Sequence, residues 1–213
     1  DDYAFRSLTG FDNAGFPAAT IDAKGYVTGS VVTVLGSSTK LYSANYYDFE
    51  GRITKTVQGN LLEGYDTTNT VYTFTGKPNT VTHTHTASGK TTRTEVYTYT
   101  YDHADRISKV QHSLGGTSIT LYDATYDNFG RLLTKQYHGT STNKLTYAYN
   151  LRSWLTGISG TCFTQNVYYN TGVGTAKYNG NISSMTWKSG NESTVRGYKF
   201  TYDGLDRMLN ATY

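Results

Sequence analysis

The stretch Tyr126-Asp127-Asn128-Phe129-Gly130-Arg131-Leu132 decides how this chain is read. An Asp that opens a type I turn accepts hydrogen bonds from amides about two residues on, and a Gly three residues later supplies a positive φ. The segment therefore predicts a hairpin loop closed by Asp-x-x-Gly, with Tyr and Arg at the two strand ends and an apolar residue starting the return strand. Three close copies follow the same plan. They are Tyr47-Asp48-Phe49-Glu50-Gly51-Arg52, Tyr101-Asp102-His103-Ala104-Asp105-Arg106 and Tyr202-Asp203-Gly204-Leu205-Asp206-Arg207. Asp105 and Asp206 replace the glycine by a residue type that tolerates the left-handed conformation. Tyr and Arg of one copy stand close enough for aromatic contact or a cation–π pair.

Weaker copies bring the starts to residues 21, 47, 74, 101, 126, 149, 178 and 202, a step of about 26 residues. A regular period of that length marks a repeat array. Phe11 to Phe16 also matches, out of register, inside a leading segment of residues 1–20. Between loops the chain alternates, as in Val96-Tyr97-Thr98-Tyr99-Thr100-Tyr101, which is the period of a half-buried strand. Each step holds two strands and two turns, the second marked by Gly59-Asn60, Ser88-Gly89, Gly115-Gly116 or Ser189-Gly190-Asn191. The expected fold is all-β: one continuous array, residues 1–213, of about eight antiparallel hairpins. Sixteen strands at ~4.8 Å each would span about 75 Å if flat, and sheets that wide curl or split. A long twisted, curled sheet is predicted.

Composition agrees. Among 213 residues there are 21 Tyr, 22 Gly and 37 Thr but only 2 Pro, 2 Met and 1 Cys. Thr, Tyr and Val suit pleated, half-buried surfaces. The lone Cys162 excludes an internal disulfide and a multi-Cys zinc site. Net charge is +3 with scattered basic residues, unlike the clustered face of a nucleic-acid binder. No apolar run reaches the ~20 residues of a spanning helix, and the start, Asp1 to Phe5, does not resemble a secretory signal.

The repeated motif and its spacing resemble the YD repeats of the RHS (rearrangement hot spot) family, over roughly residues 20 to 213. The resemblance implies a fragment of a large secreted or surface-exposed bacterial protein, in which such repeats build a β-shell that in some members encloses a C-terminal toxin. It implies as partners the rest of the longer chain. Eight repeats are too few to close a shell, and the motif-rich end carries neither a toxin domain nor the family's Asp-Pro cleavage segment.

The function expected on these grounds is a non-catalytic structural module of an extracellular β-scaffold. A second reading is carbohydrate binding through Trp154, Tyr168, Tyr169 and Trp187, in the least regular part of the array. No nucleophile elbow, phosphate loop or His-Glu-x-x-His is present. Asp48, Asp102, Asp127 and Asp203 are explained by their turns, so neither an enzyme nor a cofactor is expected. His83 and His85, with His103 in reach if hairpins pair, are a weak metal pair, since two ligands without a third rarely define a site. An array cut from a longer sheet would expose strand edges that invite self-association.

Overall fold

The computed structural model describes residues 23–213. The leading segment, the Phe11–Phe16 match and the first two residues of the copy starting at Ile21 lie outside the described residues. The chain divides into two compact units between Ile119 and Thr120. The first holds β1 (Gly29–Thr33), β2 (Lys40–Tyr47), β3 (Ile53–Gly59), β4 (Tyr65–Tyr72), β5 (Pro78–His85), β6 (Arg93–Tyr101) and β7 (Ile107–Leu114). The second holds β9 (Leu132–Tyr137), β10 (Lys144–Tyr149), β11 (Leu155–Gly160), β12 (Phe163–Tyr168), β13 (Ser184–Ser189), β14 (Arg196–Tyr202) and β15 (Met208–Thr212), while β8 (Thr117–Tyr126) crosses the division.

The fold is all-β, an open antiparallel sheet of hairpins whose strand order is chain order. Among the described residues there are fifteen strands, one 3-10 turn at Ser141–Asn143 and no α-helix. Alternating Thr, Tyr and Val make these strands because each pleat then presents a branched or aromatic side chain to the strand beside it.

Little of the sheet is sealed from water. In the first unit the buried centre is Ala44 facing Val57, with Tyr42, Tyr46 and Tyr65 packed round the pair. In the second, Ala124, Val167, Tyr169, Ser183 and Ser184 are buried. Small residues occupy the closest approaches and tyrosines roof them, so stability is spread over many cross-strand contacts of about 0.2–1 kcal/mol each.

Two weak copies of the motif are placed differently from the sequence expectation. The hairpin expected to open at Phe74 opens at Tyr72: Thr73 N–H donates to the Lys77 carbonyl at 2.7 Å, and Gly76 N–H to the Thr73 carbonyl at 3.0 Å. Tyr178 opens no tight loop. It lies exposed within a long connection, residues 169–183, between β12 and β13. Tyr169 takes the opening position instead, since the Lys177 amide donates to its carbonyl at 2.8 Å.

The turn between β3 and β4 reuses the motif's chemistry. Asn60 Oδ1 accepts the amides of Leu62 and Gly64 at 3.0 and 3.1 Å, and Glu63 takes φ of 53°. Gly64 stands where other loops have Arg because a Cβ there would lie 2.0 Å from the Thr86 carbonyl oxygen. Gly64→Ala is expected to lower unfolding free energy by about 2 kcal/mol or more, since the clash is with fixed backbone at the start of β4. Gly204→Ala, at an open position with ordinary φ, raises it by about 0.5 kcal/mol. Urea denaturation of both variants checks this, and equal effects would refute the assignment of these sites.

Candidate functional site

Each motif loop is built around its carboxylate. Asp48 Oδ1 accepts the amides of Glu50 and Arg52 at 3.0 and 2.9 Å, and Oδ2 accepts Arg52 Nε at 2.7 Å. Asp102, Asp127 and Asp203 make the same bonds to Ala104 and Arg106, Phe129 and Arg131, and Leu205 and Arg207. Gly51 and Gly130 take φ of 78° and 83°, and Asp105 and Asp206 take 58° and 60°, as the motif requires. Asn150 repeats the amide contacts, with Ser153 at φ of 62°.

The electrostatics follow from this geometry. The Arg106 guanidinium bonded to Asp102 holds its carboxyl down at about 2. At Asp203 the Arg207 amide, then its guanidinium, lowers the value. At Asp48 and Asp127 partial burial pushes upward, but the amide and guanidinium bonds outweigh it. A folded-state value below the unfolded one means the contribution is complete above the ordinary carboxylate value and disappears as pH falls through the folded one.

The sequence expectation that Tyr and Arg of one motif would meet is corrected. The residue in the Arg position covers the Tyr ring of the following hairpin. Arg52 lies 4.8 Å from the Tyr72 centroid, Arg131 4.8 Å from Tyr149, and Lys77 5.6 Å from Tyr101. Where that position is aromatic a ring contact persists: Tyr26 stacks on Tyr47 and Trp154 lies tilted against Tyr169, both with centroids 4.9 Å apart. From within the long connection, Lys177 covers Tyr202 at 5.1 Å.

The same tyrosines point their hydroxyls back at the preceding loop. Tyr47, Tyr72, Tyr101, Tyr149, Tyr169 and Tyr202 donate to the carbonyls of Val27, Ile53, Pro78, Leu132, Leu155 and Ile182 at 2.8–3.0 Å. The first five acceptors are each the first residue after a loop, and Ile182 lies near the end of the long connection. Burial pushes the Tyr101, Tyr149, Tyr169 and Tyr202 phenols above their ordinary value, which keeps them as donors. The motif is thus a clasp between hairpins as well as a turn.

The aromatic candidates are engaged in the same way. Trp154 lies between Arg152, at 5.1 Å, and Tyr169, and a Cβ on Gly180 would come within 3.3 Å of its Cζ2. Trp187 stacks on Tyr198 at 5.4 Å with Tyr213 against its edge. Tyr169 is buried and Tyr168 half-buried. The structure brings Trp154 and Tyr169 together, their rings tilted 42° to each other.

His83 and His85 share one face of β5 but take separate partners. His85 pairs with Asp66 and His83 Nδ1 with Thr68 Oγ1 at 2.9 Å. His103 sits in the 102–106 loop; the imidazole beside these strands is His112, bonded to Glu95 at 3.1 Å and 4.7 Å from the Tyr97 centroid. Asp66, His83, His85, Arg93 and Glu95 line a cavity of about 350 Å³. Among the described residues no three His, Cys, Asp or Glu side chains converge to hold a metal. Cys162 is exposed, its thiol donating to the Thr142 carbonyl.

No protein-family model matches this sequence, and no curated protein matches it. Among solved structures, a porin-like protein from Bacteroides uniformis ATCC 8492 aligns with 81% of this chain and 95% of its own, at 12% identity and a TM-score of 0.18. That likeness carries no argument. No described helix is long and apolar enough to cross a membrane, which says nothing of strands.

Two outcomes are expected. Melting temperature falls as pH drops below the ordinary carboxylate value toward about 2, the folded-state value of Asp102, and Asp102→Asn flattens part of that slope; a melting temperature constant over this range would contradict the assignment. Tyr149→Phe removes one hydroxyl–carbonyl bond and costs about 1 kcal/mol, whereas Tyr178→Phe, in the exposed connection, costs nothing measurable by urea denaturation.

Proposed function

We propose that this chain is a non-catalytic structural repeat module, a run of hairpins of the YD type that forms part of an extracellular β-scaffold or shell of a larger secreted or surface bacterial protein. The observation that carries the reading is the clasp. The motif aspartates hold their loops, and six tyrosines join one hairpin to the next. The aspartates are saturated by the amides and guanidinium groups of their own loops, and the hydroxyls of Tyr47, Tyr72, Tyr101, Tyr149, Tyr169 and Tyr202 by backbone carbonyls. Such an array is quasi-one-dimensional, each unit stabilised by its neighbours. Its natural partners are further repeats of the same chain and any cargo that the scaffold carries.

Carbohydrate binding by the aromatic residues has less to support it. A sugar stacks on a free ring face, and Trp154 and Trp187 have other side chains against theirs. The test combines hydrogen exchange with a glycan array. The scaffold reading predicts slow amides in strands throughout residues 29–212 and no glycan signal above background. Glycan binding lost on Trp154→Ala or Trp187→Ala, or turnover of a polysaccharide, would replace it.

A further inference from the structure

The long connection between β12 and β13 carries Tyr178-Asn179-Gly180-Asn181, which holds the only Asn-Gly step in the chain. A glycine after an asparagine lets its amide nitrogen approach the side-chain carbonyl carbon, because no Cβ stands in the way and the backbone is free to turn. The loop leaves both reacting atoms accessible. Asn179 is exposed to solvent, and Gly180 takes φ of 100°. Among the described residues the Gly180 amide donates to no acceptor. Asn179 Oδ1 accepts the Asn181 amide at 3.1 Å, so a donor stands where negative charge collects when a nucleophile adds to that carbonyl.

The neighbours hold the loop on either side without engaging these atoms. Arg152 Nη1 donates to the Tyr178 carbonyl at 2.7 Å, and Asn181 Nδ2 to Asp206 Oδ1 at 2.9 Å. Asp203-Gly204, the only Asp-Gly step, is built differently. There Oδ1 accepts the amides of Leu205 and Arg207 while Oδ2 accepts the Arg207 guanidinium, and a carboxylate so held is a poor electrophile. Asn60 and Asn150 also gather loop amides on Oδ1, but Leu61 and Leu151 follow them in place of glycine.

We infer that Asn179 is a site of spontaneous covalent modification, at which the side chain closes on the Gly180 amide and reopens as aspartate or isoaspartate. Solvent base removes the Gly180 amide proton, the nitrogen bonds to Asn179 Cγ, and the Cγ–Nδ2 bond breaks with loss of ammonia. Water then adds to one carbonyl of the resulting succinimide and breaks its bond to the ring nitrogen. Opening at Cγ leaves aspartate. Opening at the main-chain carbonyl leaves isoaspartate, whose main chain runs through the side-chain methylene. Either product adds a negative charge next to the carbonyl that Arg152 holds. Isoaspartate also displaces Gly180 from Trp154, where a Cβ at position 180 would already lie 3.3 Å from Cζ2. The reaction needs neither a partner nor an enzyme and is independent of the structural-module reading.

The test is peptide mapping by mass spectrometry on the full chain held at neutral and mildly alkaline pH, beside a synthetic peptide of residues 176–183. Asn179 is expected to convert before any other asparagine, as fast as in the peptide and in proportion to hydroxide, while Asp203 stays unmodified. Part of the product is isoaspartate, detected by enzymatic carboxyl methylation, and Asn179→Gln abolishes that signal. Conversion of other asparagines first, a folded chain that converts far more slowly than the peptide, or methylation that persists in Asn179→Gln would overturn the inference.

Discussion

A tyrosine held between the loop before it and the backbone of that loop's outgoing strand is the interaction on which the rest of this structure depends. A single layer of strands buries few side chains, here a handful of Ala, Val and Ser with Tyr169, and Tyr42, Tyr46 and Tyr65 in part, and gives up the large hydrophobic term that stabilises two-layered folds. The clasp supplies what the thin core does not. It fixes one end of each hairpin to the next with a ring contact and a hydrogen bond, always at the strand end where sheets fray.

The carboxylate in the loop makes this possible. An Asp that gathers two amides and the following guanidinium holds the turn closed and sets the Arg side chain flat, so that its outer face is presented to the next ring. Arg suits the role because its planar group can bond a carboxylate at one edge and stack at its face. Substitution at that position follows the same physics. Tyr26 and Trp154 offer a flat apolar face and Lys77 a point charge, and in every case the next tyrosine lies against it.

Much of this fold is legible in the residues. The turn chemistry of Asp48, Asp102, Asp127 and Asp203, the left-handed Asp105 and Asp206, and the alternating strands all follow from local rules and stand as expected. What local rules could not reach was the partner of each side chain. Arg and Tyr are adjacent within a motif, but the loop turns them apart, and the ring that meets Arg52 lies twenty residues on, at Tyr72. The loop expected at Phe74 opens at Tyr72 because the glycine sets its place: Gly76 stands four residues after Tyr72, as Gly51 stands four after Tyr47. Tyr169 gave no such signal, since its loop is long and only the hydroxyl bond to Leu155 marks it. The aromatic candidates for sugar binding were legible as aromatics and not as neighbours, because Trp154 and Tyr169, which flank β11 and β12, are brought together only by the pairing of those strands.

The central claim is that the clasp is energetically real, coupling one hairpin to the next. A double-mutant cycle between Arg131 and Tyr149 tests it most directly, using Arg131→Ala, Tyr149→Leu and the double variant in urea denaturation. The account predicts a coupling of about 1 kcal/mol, the size of a partly buried cation–π contact. Additive effects, with coupling indistinguishable from zero, would contradict it and leave the turns as independent hairpins laid side by side.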